Sequence, residues 1–341
     1  MISIAMATYN GERYLEEQLR SLTEQLRLPD EVVICDDGST DRTQELLAQF
    51  AKSAPFPMSL VINDHRLGWR ENFLKAASIC TSDYIAFCDQ DDIWLPEKLL
   101  VIARFLEGDP CTLLQHAYRV IGEHGEFVSE DIKYPRSGRE VLWRMNFGFS
   151  QLFHRSLLKY SGLWRLSFDY LGNDRMGHDN WIAFLSSLFE KPLIIDEVLV
   201  YYRRHNYNAV AVMRPVTRVN ITRNLRTIGS RFYRGNEFQK KRDEMIVSIQ
   251  RWVKAAKSRQ TVIEFIIPQV DEEQARLLRI NWNYYHEFEH YQSQRLIAYL
   301  SQSRVERLKA AFRICRQGLY QAQGGQGARE ALADFVYGVA N

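Results

Sequence analysis

Nowhere does the chain run to about 18 consecutive apolar residues, which excludes a conventional membrane-spanning helix. Its opening stretch, MISIAMATYNGERY, lacks basic residues followed by an apolar core, so no secretion signal is expected and the expected compartment is the cytoplasm. Cysteine is scarce and scattered: Cys35, Cys80, Cys88, Cys111 and Cys315 never fall in a CxxC spacing. That excludes a disulfide framework and a zinc ribbon, and reads as reduced thiols. Internal repeats and extended low-complexity tracts are also missing, so a solenoid is not expected. What remains, at 46% hydrophobic and 25% charged over 341 residues, is an ordinary globular composition with room for one large domain or two.

Net charge is only +2, but it is unevenly spread. Between Arg214 and Gln260 there are 13 basic and three acidic residues, a net of +10, which leaves the rest of the chain at −8. A local basic patch attracts an anionic partner. Within it Ile221, Leu225, Ile228 and Phe232 recur on one helical face, with Arg223, Arg226 and Arg234 on the other side. Such a helix can lie on an anionic bilayer surface, giving peripheral membrane contact through 214–260, or pack its apolar face on the rest of the protein. Nucleic acid is not an expected partner, because no nucleic-acid-binding fold motif accompanies the charge.

Short apolar runs alternate with helical patterns over the first 110 residues. Ile2–Ala7, Glu31–Cys35, Met58–Ile62 and Asp83–Cys88 read as strands; helices carry Leu15, Leu19 and Leu22, then Leu46, Leu47 and Phe50 behind a Ser39 or Thr40 cap, then Trp69–Cys80. That alternation predicts a parallel sheet with helices on its faces and a ligand crevice beyond the carboxyl ends of the strands. The next helix is expected over Trp94–Leu106. Strands are then expected at Leu113–Ile121, Phe147–Phe153, Leu193–Ile195 and Val198–Tyr202, with a helix at Asp179–Phe189. Beyond Pro215 helices dominate. The expected organisation is a domain over 1–210 and a mainly helical one over 211–341, basic at its start.

Polar residues gather where strands end. Thr8, Tyr9 and Asn10 follow the first, Asp36 and Asp37 the second, and Asp89, Gln90, Asp91 and Asp92 the fourth. Asp36 and Asp37 suit either a ligand contact or a turn before a helix. Three carboxylates within Asp89–Asp92 repel one another unless a cation or donors neutralise them, and hard oxygen ligands suit Mg²⁺ or Mn²⁺ bridging to phosphate. The plain alternative is an acidic turn ahead of a helix.

The set ATYNG (7–11), CDDGSTD (35–41) and FCDQDDIWLPEKL (87–99) resembles glycosyltransferase family 2, and within it the bacterial rhamnosyltransferase-like members. The likeness covers roughly residues 1–210 and implies an α/β GT-A, Rossmann-like catalytic domain with a helical C-terminal domain. It implies that Tyr9 stacks near the base and that Asp37 bonds a uracil or thymine. It makes Asp89 and Asp91 the DXD pair, Asp91 the chief metal ligand and Asp89 nearer the ribose and diphosphate. GHDNW (177–181) resembles the family's acidic motif at a helix start, with His178 where Glu is usual and Asp179 as general base. YRRHNYN (202–208) resembles its YRxHxxN segment: Arg203, Arg204 and His205 would meet the leaving diphosphate, and His205 would complete the metal shell. Phe147, Gly148, Phe149 and Ser150 would shape the sugar pocket.

The implied reaction is inverting sugar transfer from a UDP- or dTDP-sugar, L-rhamnose among the candidates, to a saccharide or lipid-linked saccharide in surface polysaccharide synthesis. An inactive sugar-nucleotide-binding scaffold is the alternative, opposed by intact Asp37, Asp89, Asp91 and Asp179. A nucleotidyltransferase would need a Gly-rich, cationic phosphate loop, and Thr8–Tyr14 holds only Gly11 and Arg13. His286-Glu287-Phe288-Glu289-His290 matches the HExxH zinc-peptidase pattern, but its flanks are Trp282, Tyr284 and Tyr285 rather than aliphatic, and no third ligand is identifiable.

Overall fold

The computed structural model describes residues 1–134, 146–170, 174–205, 235–301 and 303–316. The stretch from Asn206 to Arg234, with its expected amphipathic helix, and the glycine-rich segment at Gly324, Gly325 and Gly327 lie outside them.

β1 (Ile2–Thr8) is apolar at nearly every position and buried along its whole length. Strands of that kind belong in the middle of a parallel sheet covered on both faces. It pairs in parallel with β2 (Glu31–Asp36) on one side and β4 (Tyr84–Cys88) on the other, and β2 pairs in parallel with β3 (Met58–Ile62). α1 (Leu15–Thr23), α2 (Thr43–Ala51) and α3 (Trp69–Ile79) make the connections. Leu15, Leu19 and Leu22 of α1 and Leu47 of α2 join Ile4, Met6 and Ile34 in the main core. Each fully buried side chain of this size contributes roughly 1.5–3 kcal/mol over leaving it in water.

The second half changes direction. β5 (Ile93–Trp94), α4 (Lys98–Gly108), β6 (Leu113–Ile121), β7 (Gln151–His154), α5 (His178–Phe189) and β8 (Leu193–Arg203) complete an eight-stranded mixed sheet in the order β3-β2-β1-β4-β7-β6-β8-β5. β7 runs antiparallel to both β4 and β6, and β5 runs antiparallel to β8. Only Asp89–Asp92 separate β4 from β5, yet three strands lie between them in the sheet. Four strand spacings would span about 19 Å in a flat sheet, whereas the five steps from Cys88 to Ile93 reach at most about 18 Å. The sheet therefore curls, and the acidic run crosses it as a strap at the carboxyl ends of β1, β2 and β4.

Four sequence expectations shift, the first being that the strand expected over Phe147–Phe153 starts only at Gln151, behind a 3-10 turn at Gly148–Ser150. The helix expected from Trp94 begins at Lys98, because Ile93 and Trp94 pair with Tyr201 and Val200 and Pro96 disfavours helix at the residue before it. Neither Ser39 nor Thr40 caps α2: the Ser39 hydroxyl donates to Asp36 and the Thr40 N–H to Asn10. The two strands expected over 193–202 are one, β8, whose pairing with β6 slips near Ala117 instead of ending.

The chain divides into two compact units, Met1–Arg165 with Met176–Ala209, and Leu166–Arg175 with Val210–Asn341. In the second, α6 (Gly235–Ile266), α7 (Glu272–Leu300) and α8 (Arg304–Arg316) are the described helices. Asp271 caps α7 by accepting from the Gln274 N–H at 2.8 Å. Tyr170 stacks on Trp252 (4.0 Å between ring centres), and Arg259 donates to the carbonyls of Ala255 and Phe168. His286 lies against Trp282 on the exposed side of α7 and His290 is also exposed, while Phe288 between them is buried. Among the described residues no helix is long and apolar enough to cross a membrane.

Candidate active site

The turn after β2 is a scaffold of satisfied carboxylates. Asp36 is fully buried; one oxygen accepts from the Ser39 N–H and Gln44 Nε2 (2.8 and 2.9 Å), the other from the Thr8 and Ser39 hydroxyls (2.8 and 2.5 Å). Asp37 is buried as well. Its Oδ1 accepts from Asn63 Nδ2 (2.9 Å) and the Leu67 N–H (2.7 Å), and its Oδ2 from the Gly68 N–H (2.8 Å). Three of about four acceptor sites on that carboxylate are thus taken.

The turn after β1 is pinned to its neighbours on both sides. Asn10 sits at φ 47°, a left-handed conformation that Asn tolerates better than most residues. Its side chain accepts from the Thr40 N–H at 2.8 Å. The Tyr9 N–H donates to Gln90 Oε1 (2.9 Å), and Gln90 Nε2 donates back to the Tyr9 carbonyl (3.2 Å). Gly11 leaves room for the Gln90 amide, which a Cβ there would displace. The Arg66 guanidinium stands 3.9 Å over the Tyr9 ring.

The strap between β4 and β5 is different in kind. Burial, then the charges of Asp91 and Asp179, push the Asp89 carboxyl up to about 8. Asp91 Oδ2 accepts from His205 Nε2 at 2.7 Å, and the His205 ring stacks on Tyr14. Asp92 is fully buried and raised well above the usual carboxylate range by burial and its acidic neighbours. Its Oδ1 accepts from the Arg203 N–H (2.9 Å), while Oδ2 has no partner among the described residues. Beneath the strap lies Lys98, fully buried, its Nζ 2.8 Å from the Phe149 carbonyl and 3.5 Å from the centre of the Trp94 ring. Burial brings this ammonium down to about 7, against the pull of Cys88, Asp92 and Asp89.

Asp179 occupies the first turn of α5, where the helix dipole favours a carboxylate. Its Oδ1 accepts from the Asn180 N–H at 2.7 Å and lies 2.5 Å from where a Cβ of Gly177 would stand. Its charge, like that of Asp91, acts on Asp89, so Asp89 lies within electrostatic reach of both. Behind it His178 is buried between Phe73, Phe87 and Trp69 (ring centres at 4.0, 4.5 and 5.7 Å). Burial takes its imidazole down to about 3, which keeps it neutral. Gly148 makes room, since a Cβ there would stand 2.6 Å from His178 Nε2.

Hard carboxylates with few donors suit Mg²⁺ or Mn²⁺. Among the described residues no three His, Cys, Asp or Glu side chains converge closely enough to cage a metal ion.

Residues 3–164 match the family model described as glycosyl transferase family 2. Over that segment, just under half of the chain, it is similar to family 2 glycosyltransferases. Over 210 residues it is 28% identical to an uncharacterised Mycobacterium tuberculosis protein, covering 60% of this chain and 59% of that one. It is 40% identical over 98 residues to the dTDP-rhamnosyl transferase RfbG of Shigella flexneri (28% of this chain, 34% of that one). With the Salmonella typhimurium abequosyltransferase RfbV it shares 33% over 110 residues (32% and 33%). Among solved structures, Staphylococcus aureus TarS residues 1–349 in complex with UDP aligns with a TM-score of 0.50 at 15% identity, covering 98% of this chain and 88% of that one. The curled sheet is thus of GT-A type, followed by a helical C-terminal region.

Thr8, Tyr9, Asn10, Asp37, Asp89, Gln90, Asp91, Asp179 and His205 gather near the strand ends, and several are already engaged by the scaffold. Thr8 is committed to Asp36. Arg203, expected to reach the diphosphate, is only 2% exposed; it donates to the carbonyls of Asp91 (3.0 Å) and Glu123 (3.2 Å) and pairs with Glu17 (2.5 Å), holding the strap in place. Arg204 is half-buried, close enough to Tyr118 and Tyr202 to act on their hydroxyls. Phe149 is core, stacked on Tyr202 (4.6 Å), whereas Phe147 is half-buried on the same stack. Sequence reasoning passed over Arg66, Asn63 and Lys98. Lys98 alone left a signal: a cation in the first turn of a helix opposes the dipole and needs acids nearby.

Proposed function

We propose that this family 2 glycosyltransferase performs inverting transfer of a sugar from a nucleoside-diphosphate donor, using Asp179 as general base and a divalent cation held between Asp91 and the donor's phosphates. The supporting observation is that Asp89 lies within reach of the charges of Asp91 and Asp179, while neighbouring Asp36 and Asp37 accept four and three hydrogen bonds from the scaffold. The acceptor hydroxyl loses its proton to Asp179 as its oxygen bonds to the anomeric carbon, and the bond from that carbon to the diphosphate breaks in the same displacement. A Mg²⁺ or Mn²⁺ bound at Asp91 supplies charge stabilisation for the departing diphosphate. Tyr9, with Arg66 over one face, offers the other to a pyrimidine, and the remaining acceptor site of Asp37 suits an imide N–H. His205 orients Asp91, and Arg203 keeps the strap from slackening.

A pyrimidine diphosphate donor agrees with UDP in the TarS complex and dTDP in the name of the Shigella relative. Rhamnose as the sugar, and a saccharide or lipid-linked saccharide in surface polysaccharide synthesis as the acceptor, rest on relatives named for rhamnosyl, abequosyl and undecaprenol-linked glucosyl transfer. The test is release of nucleoside diphosphate from dTDP- and UDP-sugars with Mn²⁺. Release that needs both Asp91 and Asp179 is expected; release of pyrophosphate instead, or full activity in Asp91→Ala or Asp179→Ala, overturns the mechanism.

A further inference from the structure

Side-chain amides run through the first unit where a sheet core would ordinarily be apolar. Gln115 on β6 is fully buried and donates through Nε2 to Asn146 Oδ1 at 2.9 Å. Asn146, also buried, presents its backbone N–H (3.1 Å) and its Nδ2 (3.3 Å) to Asn180 Oδ1. Gln151, 1% exposed at the start of β7, donates through Nε2 to the Asp179 carbonyl at 3.2 Å. A buried amide costs free energy unless it is bonded, so a run of them in a core is kept for the geometry it enforces.

These bonds lead to the adjacent pair Asp179 and Asn180. The Asn180 N–H donates to the Asp179 carboxylate at 2.7 Å, so the carboxylate follows wherever the Asn180 main chain is held. Asn146 holds Asn180 from one side, and Gln151 holds the Asp179 carbonyl from the other. The same strip, Asn146–Gln151, contains Gly148, whose missing side chain seats His178. Both neighbours of Asp179 and its own main chain are therefore registered against one short segment.

We propose that Gln115, Asn146, Asn180 and Gln151 are positioning residues that set the direction of the Asp179 carboxylate. This inference rests on Asp179 as the base. Misplacing a reacting group by about 1 Å costs on the order of 100-fold in rate, so partial release of one tether should cost about tenfold.

The experiment measures steady-state transfer, UDP and dTDP binding by calorimetry, and the thermal midpoint for the full chain and for Asn180→Ala, Gln151→Leu, Asn180→Asp and Asp179→Asn. Asn180 is half-buried, which favours folding of its variants. For Asn180→Ala and Gln151→Leu the expected result is kcat lower by about tenfold, with nucleotide affinity and thermal midpoint unchanged. Asn180→Asp, which keeps an acceptor oxygen for Asn146, should recover most of the loss. Asn180→Ala and Gln151→Leu with unaltered kcat overturn the inference, as does a loss of nucleotide affinity and thermal midpoint in step with kcat. If Asp179→Asn is inactive while those two are unimpaired, the tethering alone fails. If Asp179→Asn is active, the base assignment fails and the tethering with it.

Discussion

Two acidic turns lie side by side at the carboxyl edge of the sheet, and they use the same side chain in opposite ways. In the turn after β2, four donors meet Asp36 and three meet Asp37. In the strap after β4, Asp92 has an oxygen with no partner among the described residues, and Asp89 is raised by its neighbours. A saturated carboxylate is a strut that joins loops. One left short of donors stores a demand for positive charge, which a ligand or ion can meet. The number of N–H and O–H groups aimed at an acid thus separates scaffold from chemistry better than its burial does.

The sharpest break in that comparison should come from the strap and its facing base. Asp91→Ala and Asp179→Asn are each expected to lower nucleoside-diphosphate release by about 10³-fold, with the thermal midpoint unchanged or raised. Asp37→Asn should do the reverse in character: whichever way the amide turns, its NH₂ confronts the N–H of Leu67 or Gly68. A cost of about 3 kcal/mol in urea unfolding is expected. If it is silent, the strut reading of that turn fails.

The pH dependence has a fixed sign. The unfolded chain releases the Asp89 proton near the ordinary carboxylate value, whereas the folded chain keeps it to about 8. Between those values the native state binds more protons, so stability is lost as pH rises through the window. Denaturation of the parent chain and Asp89→Asn in parallel should show the parent losing ground from about pH 4 to about 8, and Mn²⁺ should restore it if the strap binds the ion. The smallest effect is expected for Asp92→Asn. That variant keeps the bond from the Arg203 N–H and adds no charge to a site that already disfavours one, so unfolding free energy should move by no more than about 1 kcal/mol.

Much of this was legible in the residues. β1 to β4 announce themselves because strands buried on both faces need uninterrupted apolar runs, and the acids at their ends have no use in a core. What escaped depended on partners remote in sequence. Ile93–Trp94 looks helical until Tyr201 and Val200 pair with it. Arg203 looks like a phosphate ligand until Glu17 and the carbonyls of Asp91 and Glu123 claim it. Asp36, Asp37 and Asp89 are alike as letters, since their donors come from Thr8, Asn63 and the Leu67–Gly68 turn, which no local pattern links to them. Gln115 and Gln151 fall inside the expected strands with nothing to mark them as buried, because a buried amide is justified only by neighbours that the sequence does not show.

The strap between β4 and β5 has a consequence for how this domain can change over time. Four residues, with bends at Gln90 and Asp91, join strands that have three others between them in the sheet order, so the segment works as a ruler between the centre of the sheet and its far edge. Side chains along it can be exchanged while the ruler keeps its length. A single inserted residue would unpair Ile93 and Trp94 from β8 or push the acids out of line with Asp179, and a deletion would force the curl of the sheet to tighten. Variation at this site is thus expected to come as substitution, with gain or loss of residues confined to loops that set no strand-to-strand distance.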